Sequence, residues 1–161
     1  MLDPAGLPIA TGAAAERFPD VASNDAGYLV AWQDARGASP DVYGARVSAD
    51  GTVEDPAGFP IATDPAPLSY AAVASDGSDY FVAWEADQAS GRGVYGSRVS
   101  AAGAVLDPAG LSLSSWSAGA FQPRVASDDG GYLVAWAGGG AAGSGVYGVR
   151  VSAAGVVEDP S

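Results

Sequence analysis

Carboxylates are the side chains of this sequence that could carry acid–base chemistry, because its 161 residues include no histidine, cysteine or lysine. These absences exclude a histidine base, a thiolate nucleophile or metal ligand, and a lysine Schiff base. Asp34, Glu85 and Asp87 lie in loops that follow apolar stretches, where a pocket could form. A glycosidase that uses two carboxylates is therefore the one enzyme class left. The third corresponding loop offers Ala137-Gly-Gly-Gly140 instead, and we expect a protein that is not an enzyme.

Acidic residues outnumber arginines by nineteen to seven, which gives a net charge of −12. This charge disfavours binding to nucleic acid and to anionic membranes. Many of the carboxylates lie in short Gly-containing turns, and calcium prefers such oxygen ligands. No Asp-x-Asp-x-Asp-Gly series is present, however, and Asp/Gly turns commonly serve backbone geometry. We therefore expect solvated turns with neither a metal nor another cofactor, and we keep calcium as the alternative. The turn carboxylates are Asp3, Asp25, Asp50, Glu54, Asp55, Asp76, Asp79, Asp107, Asp128, Asp129, Glu158 and Asp159.

One short apolar stretch organises the whole chain. Tyr28-Leu-Val-Ala-Trp32 returns as Tyr80-Phe-Val-Ala-Trp84 and as Tyr132-Leu-Val-Ala-Trp136, at a constant spacing of 52 residues. A period of this size indicates a repeat architecture, and four-stranded propeller blades fall in this range. The spacing predicts three units, residues 2–54, 55–106 and 107–158, and residues 159–161 begin a fourth copy.

Each unit contains four apolar segments separated by turn residues. In the first unit they are residues 7–11, 19–23, 28–32 and 42–48. The first segment carries a proline in two of the three copies, which favours an edge strand. The second is made of small residues that suit a crowded inner position. Because no helical periodicity is present, we predict an all-β chain with four-stranded antiparallel blades.

Three motifs recur in every unit: Tyr-Leu-Val-Ala-Trp or its near-copy, Val-Tyr-Gly-x-Arg-Val, and Asp-Pro-Ala-Gly. In this pattern the chain resembles the secreted bacterial propeller-like repeat proteins over nearly its whole length. The resemblance implies a β-propeller and an extracellular or cell-surface parent protein, and it implies no shared activity. Residues 1–27 lack the basic and apolar regions of a signal peptide, so we expect none in this chain.

Three blades are too few for a propeller, since known rings have about four to eight blades that cover one another's apolar faces. We therefore predict that two chains join head to tail as a six-bladed homodimer. In that dimer, residues 7–11 of one chain would pair beside residues 146–152 of the other. The β-trefoil, which also has three units, is the alternative fold.

Several repeated residues are expected to be structural. Arg46, Arg98 and Arg150 recur on strands that otherwise look covered, and a buried guanidinium needs a partner. Candidate partners include Asp20 and Asp41, and the sequence does not choose between them. The aromatic residues expected in the repeat core are Trp32, Trp84, Trp136, Tyr43, Tyr95 and Tyr147.

Variable loops are predicted to gather on one rim of the blades, where repeat proteins commonly place binding contacts. We call this surface the variable rim; it comprises residues 12–18, 33–41, 64–70, 85–93, 114–121 and 137–145. Trp116 is not required by the repeat, and it could form a platform for a sugar or a peptide. Its companions would be Phe121, Tyr70, Arg36 and Arg92. We therefore expect a non-catalytic propeller module that acts as a self-assembling scaffold or binding platform, with a carbohydrate-binding propeller as the alternative.

Overall fold

A computed structural model gives the structure of the chain, and it describes residues 6–12, 14–88, 91–114, 119–128, 130–140 and 143–159. Eleven strands lie within these ranges, which confirms the prediction of an all-β chain. The strands are β1 (Glu16–Asn24), β2 (Gly27–Asp34), β3 (Asp41–Ser48), β4 (Phe59–Ala62), β5 (Leu68–Ser75), β6 (Tyr80–Gln88), β7 (Gly91–Val99), β8 (Leu111–Ser112), β9 (Ala120–Asp128), β10 (Gly131–Gly140) and β11 (Gly143–Ser152).

The strands form three antiparallel sheets that follow one another along the chain. The first sheet has the order β1-β2-β3-β4, and the second has the order β5-β6-β7-β8. The third contains β9, β10 and β11, with β10 in the middle. Three separate sheets of this kind are incompatible with the barrel and cap of a β-trefoil, so that alternative is wrong.

The fourth strand of a sheet comes from the following repeat. β4 follows the Asp55-Pro-Ala-Gly58 turn and pairs with β3, and β8 follows the next copy of that turn and pairs with β7. Residues 7–11 occupy the same place in the first repeat, but they form no strand. The predicted edge strand is therefore not formed at this copy in the single chain, because a strand needs a neighbour and no described strand lies beside residues 7–11.

Side chains of the hairpin turns hold the inner strands in register. Asn24 Oδ1 accepts hydrogen bonds from the backbone N–H groups of Ala26 (3.0 Å) and Gly27 (2.9 Å). Asp76 Oδ1 accepts from Ser78 and Asp79, both at 2.9 Å. Such turns supply backbone partners where the chain reverses, and they account for these polar residues without a ligand.

Two apolar cores lie between successive sheets. In the first, Leu29 and Ile61 of the first sheet pack with Val82 and Trp84 of the second. In the second, Phe81 of the second sheet packs with residues of the third sheet that include Tyr132, Val134 and Trp136. Alternate residues of the central strand of the second sheet thus serve opposite cores, so both faces of that sheet are covered.

Candidate functional site

Asp34 belongs to the variable rim and is fully buried at the end of β2. It accepts hydrogen bonds from Arg36 Nε (2.8 Å), Arg36 Nη2 (2.7 Å) and Trp32 Nε1 (2.9 Å). Burial acts to raise the pKa of this carboxyl, but the hydrogen bonds from Arg36 and Trp32 outweigh it and hold the pKa below its ordinary value. Asp34 is therefore an ionised partner of Arg36, and both of its oxygens are engaged.

Arg36, predicted for the ligand platform, is engaged on several sides. Its Nη1 donates to the carbonyl oxygen of Ala57 at 2.8 Å, and its guanidinium lies 4.1 Å from the centroid of the Tyr43 ring. These contacts connect the loop after β2 to the turn before β4. They give Arg36 a structural function within the first sheet.

A second group of rim residues surrounds the buried carboxylate of Glu85 on β6. Arg92 Nη1 lies 3.2 Å from Glu85 Oε1, and the backbone N–H of Gln122 donates to Oε2 at 3.1 Å. Arg92 also pairs with Asp87 at 3.1 Å, and its guanidinium lies 5.3 Å from the Phe121 ring centroid. Burial raises the pKa of Glu85 against the opposing effects of Gln122 and Arg92. This group joins the second sheet to the third.

A third site, which we call the inner depression, lies where the inner strands β1, β5 and β9 come together. Phe18, Tyr70 and Gln122 occupy equivalent positions, and each has a φ of 52°. The strand register shifts beside each of them. A positive φ is strained for residues other than glycine, and such strain often occurs at ligand sites.

Aromatic and polar groups face each other in the inner depression. Phe18 and Tyr70 stack with ring centroids 4.6 Å apart and an interplanar angle of 29°. With Gln122, Asp20 and Arg124 they line a volume of about 400 Å³. Sequence reasoning identified Tyr70 but missed Phe18, Gln122 and Arg124. Phe18 and Gln122 lie 52 residues before and after Tyr70, and each directly precedes a proline, Pro19 or Pro123. This spacing could have identified them.

The predicted platform residues thus fall into separate contact groups. Arg36 contacts Tyr43, Arg92 contacts Phe121, and Tyr70 contacts Phe18. Trp116 lies outside the described residues.

The repeated arginines bind the Asp-Pro-Ala-Gly turns. Asp107 accepts from Arg98 through the backbone N–H (3.0 Å), Nε (2.9 Å) and Nη2 (2.8 Å). The same three bonds join Arg46 to Asp55, and they join Arg150 to Asp159. We call each pair an arginine clamp.

The suggested partners of Arg46 were wrong. Asp20 accepts from the backbone N–H of Val73 at 2.9 Å, and Asp41 accepts from that of Asp64 at 3.2 Å. Asp20 therefore links the first two sheets, and Asp41 holds the loop that follows β4. The aspartate of the following turn pairs with the arginine instead.

The repeated aromatic residues are packed against the apolar cores. Trp32, Trp84 and Trp136 are buried. Tyr43, Tyr95 and Tyr147 are half-buried and pack against the same cores. These residues leave the polar groups of the rim and of the inner depression as the accessible chemistry.

Among the described residues, no group of three or more carboxylates is placed to hold a metal ion. In that same part of the chain, no helix has the length and apolar character needed to cross a membrane.

No protein-family model and no curated protein sequence matches the chain. Solved structures do resemble it, at low sequence identity. The subtype N10 neuraminidase-like protein of A/little yellow-shouldered bat/Guatemala/060/2010 has a TM-score of 0.58 and 12% identity, covering 95% of this chain and 45% of its own. The GH43 endo-arabinanase from Bacillus licheniformis has a TM-score of 0.57 and 10% identity, covering 92% and 58%.

An endo-1,4-beta-xylanase from Bacteroides thetaiotaomicron has a TM-score of 0.53 and 12% identity, covering 89% of this chain and 56% of its own. The chain thus spans about half the length of these structures. The likenesses show the fold alone: the three sheets are blades of the propeller type, as the repeat spacing predicts.

Proposed function

We propose that the protein is a non-catalytic propeller module that acts as a self-assembling scaffold and carries a binding platform. The observation that supports this most strongly is the exposure of blade-packing positions at both ends of the three-blade stack. Leu29 and Phe81 are 0% exposed between blades, but the equivalent Leu133 is 52% exposed. Val94 is 0% exposed, and its equivalent Val146 is 82% exposed. The outer face of the third sheet therefore presents an unfilled blade interface.

The opposite end presents the complementary half of the same interface. Tyr80 and Tyr132 are 2% and 3% exposed between blades, whereas the equivalent Tyr28 of the first sheet is 44% exposed. Val73 is 6% exposed, and the equivalent Val21 is 56% exposed. Exposed apolar patches of this kind mark interaction sites in soluble proteins. Because the two ends differ and match, head-to-tail association would cover both.

The state of the rim carboxylates supports a function without catalysis. General acid–base chemistry needs a carboxyl that can reach the substrate with a suitable pKa. Both oxygens of Asp34 are bonded to Arg36 and Trp32. Those of Glu85 are bonded to Arg92 and to the backbone of Gln122. Each of these carboxylates is therefore held by partners within the protein.

Sedimentation velocity of the chain at micromolar concentration tests the proposed assembly. We expect a dimer for the unmodified chain and a monomer for Leu133→Glu, because a charge would then be buried at the junction. Leu133 is half exposed in the single chain, so we expect this substitution to leave the fold intact. A matched control is Val156→Glu, which adds the same charge at an exposed turn position. A folded monomer for the unmodified chain would refute the assembly.

Carbohydrate binding at the inner depression is a second candidate function. The stacked rings of Phe18 and Tyr70 offer an apolar surface in a depression that the polar residues Gln122 and Arg124 also line. Aromatic rings beside polar groups suit sugar recognition. Two of the similar structures are an endo-arabinanase and an endo-1,4-beta-xylanase, whose names refer to polysaccharides.

A glycan array tests this second candidate. Saturable binding to a glycan that is lost in Phe18→Ala, and retained in Val156→Ala, would support it. Val156 is an exposed apolar residue that does not line the depression. Absence of binding across the array would contradict the candidate and would leave the proposed assembly standing.

A further inference from the structure

We infer that residues 7–11 of a second copy of this chain form the fourth strand of the third sheet, so that two copies close one ring. This inference rests on the proposed self-assembly and specifies its geometry. In the first and second sheets, β4 and β8 provide the fourth strand beside β3 and β7. The equivalent neighbour of β11 is lacking among the described strands. At the 52-residue spacing, residues 7–10 correspond to β4, Phe59–Ala62.

Residues 7–11 already lie where the outer strand of a preceding blade would lie. Ile9 packs against Val30 and Trp32 of the first sheet. The equivalent Ile61 of β4 belongs to the core that contains Val82 and Trp84 of the second sheet. The segment is therefore placed against the first sheet as β4 is placed against the second.

The arginine clamps indicate that the outer face of the third sheet can accept another blade. The side chains of Arg46 and Arg98 are 25% and 20% exposed, whereas that of Arg150 is 63% exposed. All three make the same bonds to an aspartate, so the difference does not come from the clamp. Within the described residues, the next blade approaches Arg46 at Gly103 and Arg98 at Gly155, and no further blade approaches Arg150.

The turn glycines indicate that the outer face of the first sheet can accept another blade. A Cβ on Gly103 would lie 2.9 Å from Arg46 Nε, and one on Gly155 would lie 2.6 Å from Arg98 Nε. These glycines thus provide space for the arginine of the preceding blade. A Cβ on the equivalent Gly51 would meet nothing within 4 Å. The contact between an arginine and the turn glycine of the next blade thus occurs twice within the chain. Arg150 of one copy and Gly51 of the other would make the same contact between chains.

A second copy is the occupant that these features specify. It supplies residues 7–11, the face of Tyr28 and the open turn at Gly51, and each is the repeat equivalent of a group that covers the preceding sheet within the chain. With two copies, both junctions are the same contact, and the six blades fall within the usual size of a propeller ring. A head-to-tail contact of this kind stays finite when rotation closes it.

The internal sheets also specify the register of the junction. Tyr43 pairs with Pro60, and Tyr95 pairs with Ser112. By the repeat spacing, Tyr147 of one copy should lie opposite Pro8 of the other. Gly44 pairs with Phe59, and Gly96 pairs with Leu111, so Gly148 should lie opposite Leu7.

Disulfide cross-linking tests this register, because the chain has no cysteine of its own. The test variant is Pro8→Cys with Tyr147→Cys, treated with oxidised glutathione at about 10 µM protein, within the range where subunit assembly depends on concentration. We expect a covalent dimer on a non-reducing gel. The matched positive control is Tyr43→Cys with Pro60→Cys, which should close the equivalent bond within one chain. The single variants Pro8→Cys and Tyr147→Cys should remain uncrosslinked.

Each outcome of the experiment bears on a different step. A folded monomer by sedimentation would refute both the inference and the proposed assembly, and the open faces would then belong to another partner or to further repeats. A dimer without the cross-link between positions 8 and 147, while the control bond between positions 43 and 60 closes, would refute the inference alone. A ladder of higher species would refute the two-copy ring, since an open filament would then have formed.

Discussion

Substitution of the clamp aspartate Asp107 by Asn should destabilise the protein in a position-dependent way. The variant keeps the size of the side chain and removes the charge that pairs with Arg98. Hydrogen bonds to charged groups contribute about 1.5–3 kcal/mol each, and breaking a fully buried ion pair costs about 3–5 kcal/mol. Asp107 is 13% exposed and Arg98 is 20% exposed, so solvent screens part of the loss. We expect a decrease in the free energy of unfolding of about 2 kcal/mol.

Thermal unfolding followed by circular dichroism measures this loss. For a chain of this length, a decrease of that size lowers Tm by roughly 4–8 °C. Asp25→Asn is the matched control, because Asp25 is an exposed turn residue outside the clamps. A Tm for Asp107→Asn within about 1 °C of the unmodified chain would refute the assigned contribution of the clamp.

The same substitution at Asp159 connects the clamp to assembly. In the single chain Arg150 and Asp159 are exposed to solvent, at 63% and 44%, so Asp159→Asn should have much less effect there than Asp107→Asn. In the closed ring a neighbouring blade covers this clamp, and the two effects should become similar. The comparison requires the monomeric Leu133→Glu background beside the unmodified one.

Five further outcomes are expected. The pKa of Asp34 is lowered in the folded state. Asp34 therefore contributes to stability at pH values above its ordinary pKa, and this contribution is lost as the pH falls through its folded-state pKa. Asp34→Asn should flatten the acid limb of a Tm-against-pH profile. The pKa of Glu85 is raised in the folded state. Stability should therefore fall as the pH rises from the ordinary pKa of a glutamate through the folded-state pKa of Glu85, and Glu85→Gln should remove this pH dependence. Gln122→Gly should melt higher than Gln122→Ala, since glycine tolerates a positive φ that costs other residues roughly 1–2 kcal/mol. In a monomeric background Gly155→Ala should lower Tm more than Gly51→Ala, because only the first collides with an arginine. Finally, addition of calcium should leave Tm unchanged, and an increase would support the alternative of calcium-binding turns.

The repeat spacing predicted the main features of the fold because units of similar sequence form similar strands and pack in the same way. The return of Tyr28-Leu-Val-Ala-Trp32 at 52 residues placed the central strands β2, β6 and β10 correctly. Alternation of apolar residues within them predicted that both faces are covered. This holds fully for β6, whose Phe81 and Val82 are both buried. The first and third sheets each have an exposed outer face. Exposure of that face depends on whether another blade packs against it, and the alternation of residues within one strand does not specify this.

The arginine clamps were not predicted, because their two members lie in different repeats. Arg46 lies near the end of one unit and Asp55 begins the next, so an alignment of units separates the pair. The structure shows that β4 crosses this boundary and brings Asp55 against β3. A sequence search for partners nine residues apart would have found all three pairs.

The inner depression was only partly predicted. Tyr70 was chosen as an aromatic residue of a variable loop, while its equivalents Phe18 and Gln122 were not recognised. The three differ in chemistry and share a backbone conformation. Sequence patterns reveal a repeated side chain readily, but a repeated bulge in a strand follows from pairing geometry, which is fixed only when the neighbouring strand is in place.

Small-angle X-ray scattering of the species eluting from a size-exclusion column, with light scattering on the same peak, tests the closed ring most directly. We predict twice the mass of one chain and a scattering profile of a compact disc built from six blades. A particle with the mass of one chain and the profile of an open three-blade arc would contradict the account.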